Sequence, residues 1–554
     1  MKKKEFAVRQ QVKNPQKVEQ FFKELCKDVP RNVAELEKKK RNFCAREKGT
    51  PILNRDLIAV MQKGPSPDLS LGERNNWKTL EKILQKRAVR TISGVTPIGI
   101  LTKPYPCPGK CVYCPTDVRM PKSYLASQPA AARALRNKFH PYDQVTNRIA
   151  AVKDSGHPVS KLEVIVMGGT WSFLPHRYQS WYVKNIFDAA NGTSSASLTE
   201  AQHLNESAEH RVIGLTLETR PDFITEKELI RMRKMGCTRI EIGVQTLDDE
   251  VSKLTKRGHG RKHVVRATKL MKDFGFKICY HLMPGLPGST PAKDLKMMRE
   301  VFENPDFCPD FVKIYPCQVL DNSELKSWWE QGKFTPLRDK ELVKLLLKFK
   351  QFVPQWTRIM RLLRDIPVDD VLDGARFSNL RQILKSQPKK VKEITGEDFT
   401  GDWPCKCIRC REVGFADPSS LEKPLKLVRR DYEASGGTET FLSYESEDEK
   451  VIFALLRLRK PSGQKFSKIG SVLHNSALIR EVHSYGSEIS VGDGMGVGQH
   501  RGLGRKLVAE AERIAQDEWH LGRMTIIAGV GTRGYYEKFG YALRSTYMTK
   551  KLER

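Results

Sequence analysis

Acidic residues are the scarce class in this 554-residue chain: 65 Asp and Glu stand against 96 Lys and Arg, leaving a formal net charge of +31. A surplus of that size excludes accidental surface variation and attracts polyanions, nucleic acid first, although a solvated basic surface gives the same count. Long apolar runs are missing too, and none approaches the roughly 18 residues that suggest a membrane span. The basic start MKKKEFAVRQQ has no apolar core behind it, so a secretory leader is not expected. The expectation is a soluble, cytoplasmic protein with no membrane role. Twelve cysteines are too few for a disulfide framework, and their clustering points to metal or redox chemistry. The absence of an internal repeat excludes a solenoid.

What is present divides the chain. Residues 1–90 are helical and basic, with LEKKKRNF and LEKILQKRAVR placing apolar residues at helical spacing among cations. Such a segment could lie along a phosphate backbone or form an ordinary solvated helical layer. From 91 to 377, the runs LEVIVMGG, VIGLTLET, TRIEIGVQT, KICYHLMPG and FVKIYPC alternate with amphipathic stretches such as TEKELIRMRKMG and HVVRATKLMKDFG. That rhythm predicts parallel βα units, whose sites lie at the C-terminal ends of the strands. Within this region 194–210 is polar and predicts a surface helix or loop. A Cys-rich connector follows over 378–425, and 426–554 reads as a smaller α+β domain.

Just past the apolar run TPIGILTK, Cys107, Cys111 and Cys114 stand in C-x3-C-x2-C spacing. A tetrahedral zinc site usually takes four ligands in knuckle pairs. Three thiolates on one loop match a cubane 4Fe-4S cluster with one iron left open better, with zinc or a purely structural role as the alternatives. In the connector, PCKCIRC sets Cys405, Cys407 and Cys410 in C-x-C-x2-C. Its surroundings are not those of a strand end, so structural zinc with a distant fourth ligand is expected, a second iron-sulfur cluster or free thiols being the alternatives. Near the C-terminus, QHRGLGRKLVAEAERIA puts Gln499, His500, Arg501, Gly502 and Gly504 directly before an amphipathic helix. Free N–H groups and the helix dipole there favour a pyrophosphate, while a plain turn before a helix is the structural alternative. Tyr535 and Tyr536 of TIIAGVGTRGYYEKFGYAL follow an apolar strand and could wall a ligand or pack a core.

The first spacing, placed after the first strand of a βα series, resembles that of the radical SAM superfamily. The QHRGLG and GYYEKFGY stretches resemble those of GNAT-type acetyltransferases. Together with SYLASQPAAARALRNKFHPYDQ, MGGTWSFLP, ETRPD, HLMPGLPG, CKCIRCREVG and REVHSYG, they make nearly everything after residue 90 resemble the family of the Elongator catalytic subunit, the third Elongator protein, and its stand-alone homologues. The resemblance implies an α/β fold: a radical SAM partial (β/α) barrel, then an α+β GNAT-type domain, with the basic helical segment in front. It implies S-adenosylmethionine on the cluster's open iron, with Tyr113 near the adenine and Gly168 and Gly169 offering carbonyls to the methionine amino group. Glu218, Arg220, Gln245 and the HLMPGLPG run at 281–288 would end later strands facing ribose, carboxylate and adenine, a structural ion pair being the alternative for the first two. Acetyl-CoA would lie against the glycine loop and the tyrosine pair, and Lys313 and Tyr315 would meet substrate or acyl group at the barrel mouth.

The implied activity is carboxymethylation of carbon 5 of the wobble uridine 34 of tRNA. A hydrogen atom leaves the acetyl methyl, the carbon radical adds to the base, and loss of an electron and a proton with thioester hydrolysis releases CoA. Implied partners are the tRNA anticodon stem-loop, an electron donor, and other Elongator subunits or a second copy of the chain. A protein lysine acetyltransferase with a structural iron-sulfur domain, using Glu481 or Glu488 as base, is the rival, and a tRNA-binding scaffold that has lost its chemistry is a further one. Three departures from the family pattern stand out. Thr116 and Asp117 replace a glycine pair, Arg501 changes QHQG to QHRG, and Cys317 replaces Thr.

Overall fold

A computed structural model describes residues 15–552 except 48–50, 65–69, 86–90, 398–404, 417–423, 464–465, 467–469 and 487–501. The chain forms two compact units. The first draws on residues up to 91 and on 147–159. Its helices Pro15–Lys27, Val33–Arg46, Asn54–Met61 and Leu71–Leu84 bury one apolar face each, meeting at Phe21, Phe22, Leu36, Leu57 and Leu80. Their starts carry expected caps: Asn32 accepts from Glu35 N at 3.0 Å, and Ser70 and Glu73 form a reciprocal capping box.

The second unit, 92–146 with 160–554, holds two seven-stranded sheets. The first sheet comprises β1 (Thr96–Leu101), β2 (Lys161–Met167), β3 (Arg211–Thr219), β4 (Arg239–Gln245), β5 (Lys277–Leu282), β6 (Phe311–Ile314) and β8 (Arg358–Arg361), all parallel and in that spatial order. It is an open barrel, with β1 and β8 as its edges. A short antiparallel pair, β7 (Val319–Leu320) and β9 (Val371–Asp373), stands apart. All five apolar runs fall on strands, and the two amphipathic stretches become helices Glu226–Lys234 and Arg261–Asp273. The polar stretch becomes helix Leu198–Asn205, capped by Ser197.

The second sheet is built from β10 (Leu425–Ala434), β11 (Gly437–Ser446), β12 (Ile452–Lys460), β13 (Ala477–Ser484), β14 (Arg523–Ile526), β15 (Ala542–Arg544) and β16 (Tyr547–Lys551), ordered β10-β11-β12-β13-β14-β16-β15. Only β13 and β14 pair in parallel, and only over Ala477–Ile479. β13 runs on to Ser484 past the end of β14 at Ile526, while helix Leu503–Arg513 packs its apolar face on β12 and β13.

The two sheets join through charge. Arg480 of β13 donates to Asp310 and Glu439, Arg459 of β12 to Asp273 and Glu439, and Lys272 pairs with Glu439, all fully buried. Backbones also touch directly, since a side chain at Gly529 would collide with Ile213 O. No helix among the described residues is long and apolar enough to cross a membrane.

This junction predicts acid lability. Burial works to raise the Glu481 carboxyl, but Lys277 and Arg457 bring it down to about 2, and Asp310 and Asp273 are likewise depressed by their arginines against the same penalty. Because the folded-state values lie below those of the unfolded chain, this stability is complete above the ordinary carboxylate range near 4 and is lost as pH falls through the folded values. Acid titration followed by circular dichroism should show cooperative unfolding between about pH 4 and about 2, and a Glu481→Gln variant should show a shallower loss. A signal flat to pH 2 would contradict it.

Candidate functional site

The parallel strands end on one side of the barrel, and the polar residues there come from successive strand ends. Between β1 and the first following helix, Cys107, Cys111 and Cys114 lie on one loop, closed by Cys114 N donating to Cys111 O at 3.1 Å. Gly109 sits between two of the sulfurs. A methyl group there would stand 3.6 Å from both Cys107 and Cys111 Sγ and 2.5 Å from Arg220 Nη1. Arg257, buried, points Nη1 at Cys111 Sγ at 3.5 Å. A hydrogen bond from Cys114, and then the guanidinium, outweigh burial and hold the Cys111 thiol down to about 4, so one sulfur is ready as a thiolate.

Around this loop lie buried polar atoms with no hydrogen-bond partner among the described residues: Tyr113 Oη, Arg220 Nη1, Gln245 Oε1 and both ring nitrogens of His259. Such atoms cost roughly 1 to 3 kcal/mol each if left unpaired, and a polar cofactor fitted among them removes the cost. Gln245 ends β4 in the left-handed region at φ +68, a strain that concentrates at functional sites. Gly168 and Gly169 end β2 at φ +133 and +90, and a side chain on Gly168 would overlap Thr102 Oγ1. Gly168→Ala should therefore disturb the β1–β2 ends and weaken S-adenosylmethionine binding, read by equilibrium dialysis; unchanged affinity would remove this turn from the site. The residues present fit a sulfur-held cluster with an amino-acid-bearing nucleoside beside it.

Deeper in the barrel, the expected residues take a different setting. Glu218 accepts from Tyr124 Oη at 3.0 Å and faces His281 Nδ1 at 3.3 Å. The other ring nitrogen of His281 lies 2.8 Å from Glu241 Oε2, which also receives Lys313. Lys313 is thus a buried ion-pair partner; burial opposes its charge, but Glu241 raises its pKa above the usual range. Tyr315 stands edge-on to His281 at 5.3 Å, with Arg364 5.9 Å from its ring. Arg220 is fixed by two bonds of 3.0 Å to Asp222, its third nitrogen turned toward the cysteine loop.

Two departures acquire local roles. Asp117 takes Arg119 in a fork of 3.0 and 2.9 Å, and Thr116 Oγ1 accepts from Lys122 Nζ, side-chain bonds that a glycine pair could not make. Cys317 packs in the apolar cluster with Val112, Leu286 and Val319, and burial pushes its thiol up.

In the connector, the sulfurs of Cys405, Cys407 and Cys410 all lie within 4.8 Å of one another. That spacing suits thiolates around one tetrahedral ion. Among the described residues the group holds no fourth Cys, His, Asp or Glu. In the second sheet, Gly502 at φ +66 begins helix Leu503–Arg513, and a side chain on Gly504 would press within 2.9 Å of Tyr535 Oη. Tyr535 and Tyr536 meet edge-on at 5.2 Å, Tyr536 buried and Tyr535 partly so. Gln499, His500, Arg501 and Glu488 lie outside the described residues.

Sequence reasoning missed Arg257, His259, Tyr124 and Glu241, while His281 opens the HLMPGLPG run expected at a strand end. The glycines flanking His259 were the single local sign, and no spacing links residue 257 to Cys111.

Residues 105–301 match the Radical SAM superfamily and 309–390 the radical SAM C-terminal domain. Membership of that superfamily implies a 4Fe-4S cluster and S-adenosylmethionine. The tRNA uridine(34) acetyltransferase of Methanocaldococcus jannaschii is 44% identical over 510 residues, which are 90% of this chain and 92% of that one. Elongator complex protein 3 of Homo sapiens is 39% identical over 491 residues, 86% and 87% of the two chains. The solved structure of archaeal Methanocaldococcus infernus Elp3, with an N-terminal deletion, superposes with a TM-score of 0.71 at 40% identity, covering 83% of this chain and all of that one. The chain belongs to the radical SAM family that contains the tRNA uridine(34) acetyltransferases and Elongator complex protein 3.

Proposed function

We propose that this enzyme modifies the wobble uridine 34 of tRNA, building a carboxymethyl group on carbon 5 from acetyl-CoA with S-adenosylmethionine as radical source. The observation that carries the reading is the joining, in one compact unit, of a thiolate loop at the ends of a parallel barrel to a sheet in which β13 runs past the end of β14 against helix Leu503–Arg513.

Cys107, Cys111 and Cys114 would hold the cluster. When bound, the cluster and S-adenosylmethionine supply a hydrogen-abstracting 5'-deoxyadenosyl radical. Arg257 stabilises a thiolate at Cys111, and Tyr113, Gly168, Gly169, Glu218, Arg220 and Gln245 bind the nucleoside and its methionine end. Gly502 before helix Leu503–Arg513 and Gly504 in its first turn open the backbone to the CoA pyrophosphate, with Tyr535 and Tyr536 as the wall along its arm. Lys313 positions Glu241 and, through it, His281 and Tyr315 toward the substrate. Cys405, Cys407 and Cys410 would take a structural zinc. The basic residues within 1–90 grip the tRNA backbone, 91–377 make the radical, 378–425 carry the zinc and 426–554 hold acetyl-CoA.

The lysine acetyltransferase reading needs a base near neutrality. Glu481, bound by Arg457 at 2.8 Å and held at about 2, counts against it. Acetyl-CoA deuterated at its methyl separates the two. The proposed reaction places deuterium in 5'-deoxyadenosine when tRNA is present; unlabelled deoxyadenosine with acetyl groups on protein lysines would overturn it.

A further inference from the structure

Large apolar side chains in this chain are mostly buried, and an exposed group of them beside a reaction site asks for an occupant. Phe173 is 40% exposed. It ends the single helical turn Trp171–Phe173, which begins after Thr170, whose hydroxyl lies 3.8 Å from Cys107 Sγ. Its ring centroid is 6.2 Å from that of Tyr105 and 6.1 Å from that of Phe223, edge-on to both. The three rings therefore follow the C-terminal ends of β1, β2 and β3, and a bond of 2.8 Å from Thr219 Oγ1 to Ser172 Oγ ties two of those ends together. Farther along, the ammonium of exposed Lys103 lies 5.0 Å from the Tyr178 ring, and its backbone N–H donates to Tyr178 Oη at 3.1 Å. Tyr178 in turn is 5.6 Å from Trp181, itself 41% exposed.

Rings interleaved with cations are what single-stranded nucleic acid requires, because every base has a face to stack and every linkage a negative charge. A uridine drawn to the strand ends also leaves its neighbours without their stacking partners, a loss of a few kcal/mol that protein rings can make good. We propose that Tyr105, Phe173 and Phe223 are a stacking platform for the unpaired anticodon-loop bases next to the target uridine, with Lys103, Tyr178 and Trp181 continuing the track. This rests on the tRNA reading above and adds to it where the neighbouring bases lie. The platform recognises base faces, so it tolerates different neighbours.

The test uses the full chain with its cluster reconstituted and a synthetic anticodon stem-loop carrying 2-aminopurine immediately 3' to the target uridine. Wild-type protein should bind it and quench the fluorescence. Phe173→Ala, an exposed position that keeps the circular dichroism unchanged, should weaken binding by about 5- to 100-fold and lose the quench. The salt dependence of binding should keep its slope, since no phosphate contact is removed. Phe173→Leu should behave like Ala, and Phe173→Trp like wild type. Wild-type affinity and quenching in Phe173→Ala, or full function in Phe173→Leu, would overturn the platform alone. Failure of the wild-type protein to bind the stem-loop would overturn the tRNA reading and the platform with it.

Discussion

Cys111→Ala is expected to bring release of 5'-deoxyadenosine to background while leaving tRNA affinity nearly intact. Of the three loop cysteines, Cys111 has a guanidinium on its sulfur and its thiol drawn down to about 4. Its removal takes away one of three thiolates and strands Arg257 as a buried charge whose remaining partner is the carbonyl of Gly243. The cations proposed to hold the phosphates belong to the other compact unit, on the basic helices before residue 91. Stem-loop affinity in the variant should still fall steeply with salt. Iron content by colorimetric assay, deoxyadenosine by chromatography and affinity by anisotropy make the comparison. Equal loss of tRNA binding and S-adenosylmethionine cleavage would contradict the separation.

Lys313→Ala is expected to cost roughly 3 to 5 kcal/mol of stability, because it leaves the fully buried Glu241 facing His281 without its ammonium partner. The double variant Glu241→Gln with Lys313→Met should recover most of that loss, since replacing both charges leaves no charge uncompensated. Thermal unfolding measures the first effect. Product analysis measures the second: the recovered protein should still cleave S-adenosylmethionine yet make little modified uridine, as His281 and Tyr315 lose their anchor. Full product formation would make the pair purely structural, and an unstable double variant would contradict the pairing itself.

The barrel was legible because its strands are short, apolar-rich runs that alternate with amphipathic helices, the rhythm of parallel βα units. β8 was not, for RIMR at a sheet edge has one buried apolar residue, Ile359, and ends on an exposed arginine. In β12, LRLRK reads as an alternation with the arginines toward water, and β13 carries Arg480 in the same way. The structure buries those guanidiniums against Asp273 and Asp310 beside the other sheet and against Glu439 of their own sheet. Alternation marks two faces; it does not say which faces are wet, and charge complementarity across 170 or more residues of sequence leaves no local trace. The cysteine loop and the glycine turns were legible because thiolate spacing and left-handed backbone are local demands. The network of Tyr124, Glu218, His281, Glu241 and Lys313 was not, because each member comes from a different strand or loop.

The most direct measurement incubates the reconstituted chain anaerobically with S-adenosylmethionine, reductant, acetyl-CoA and tRNA, then determines the nucleosides by mass. The account predicts 5-carboxymethyluridine at position 34, absent whenever any one component is left out. Deoxyadenosine and free CoA formed with every uridine unchanged would contradict it.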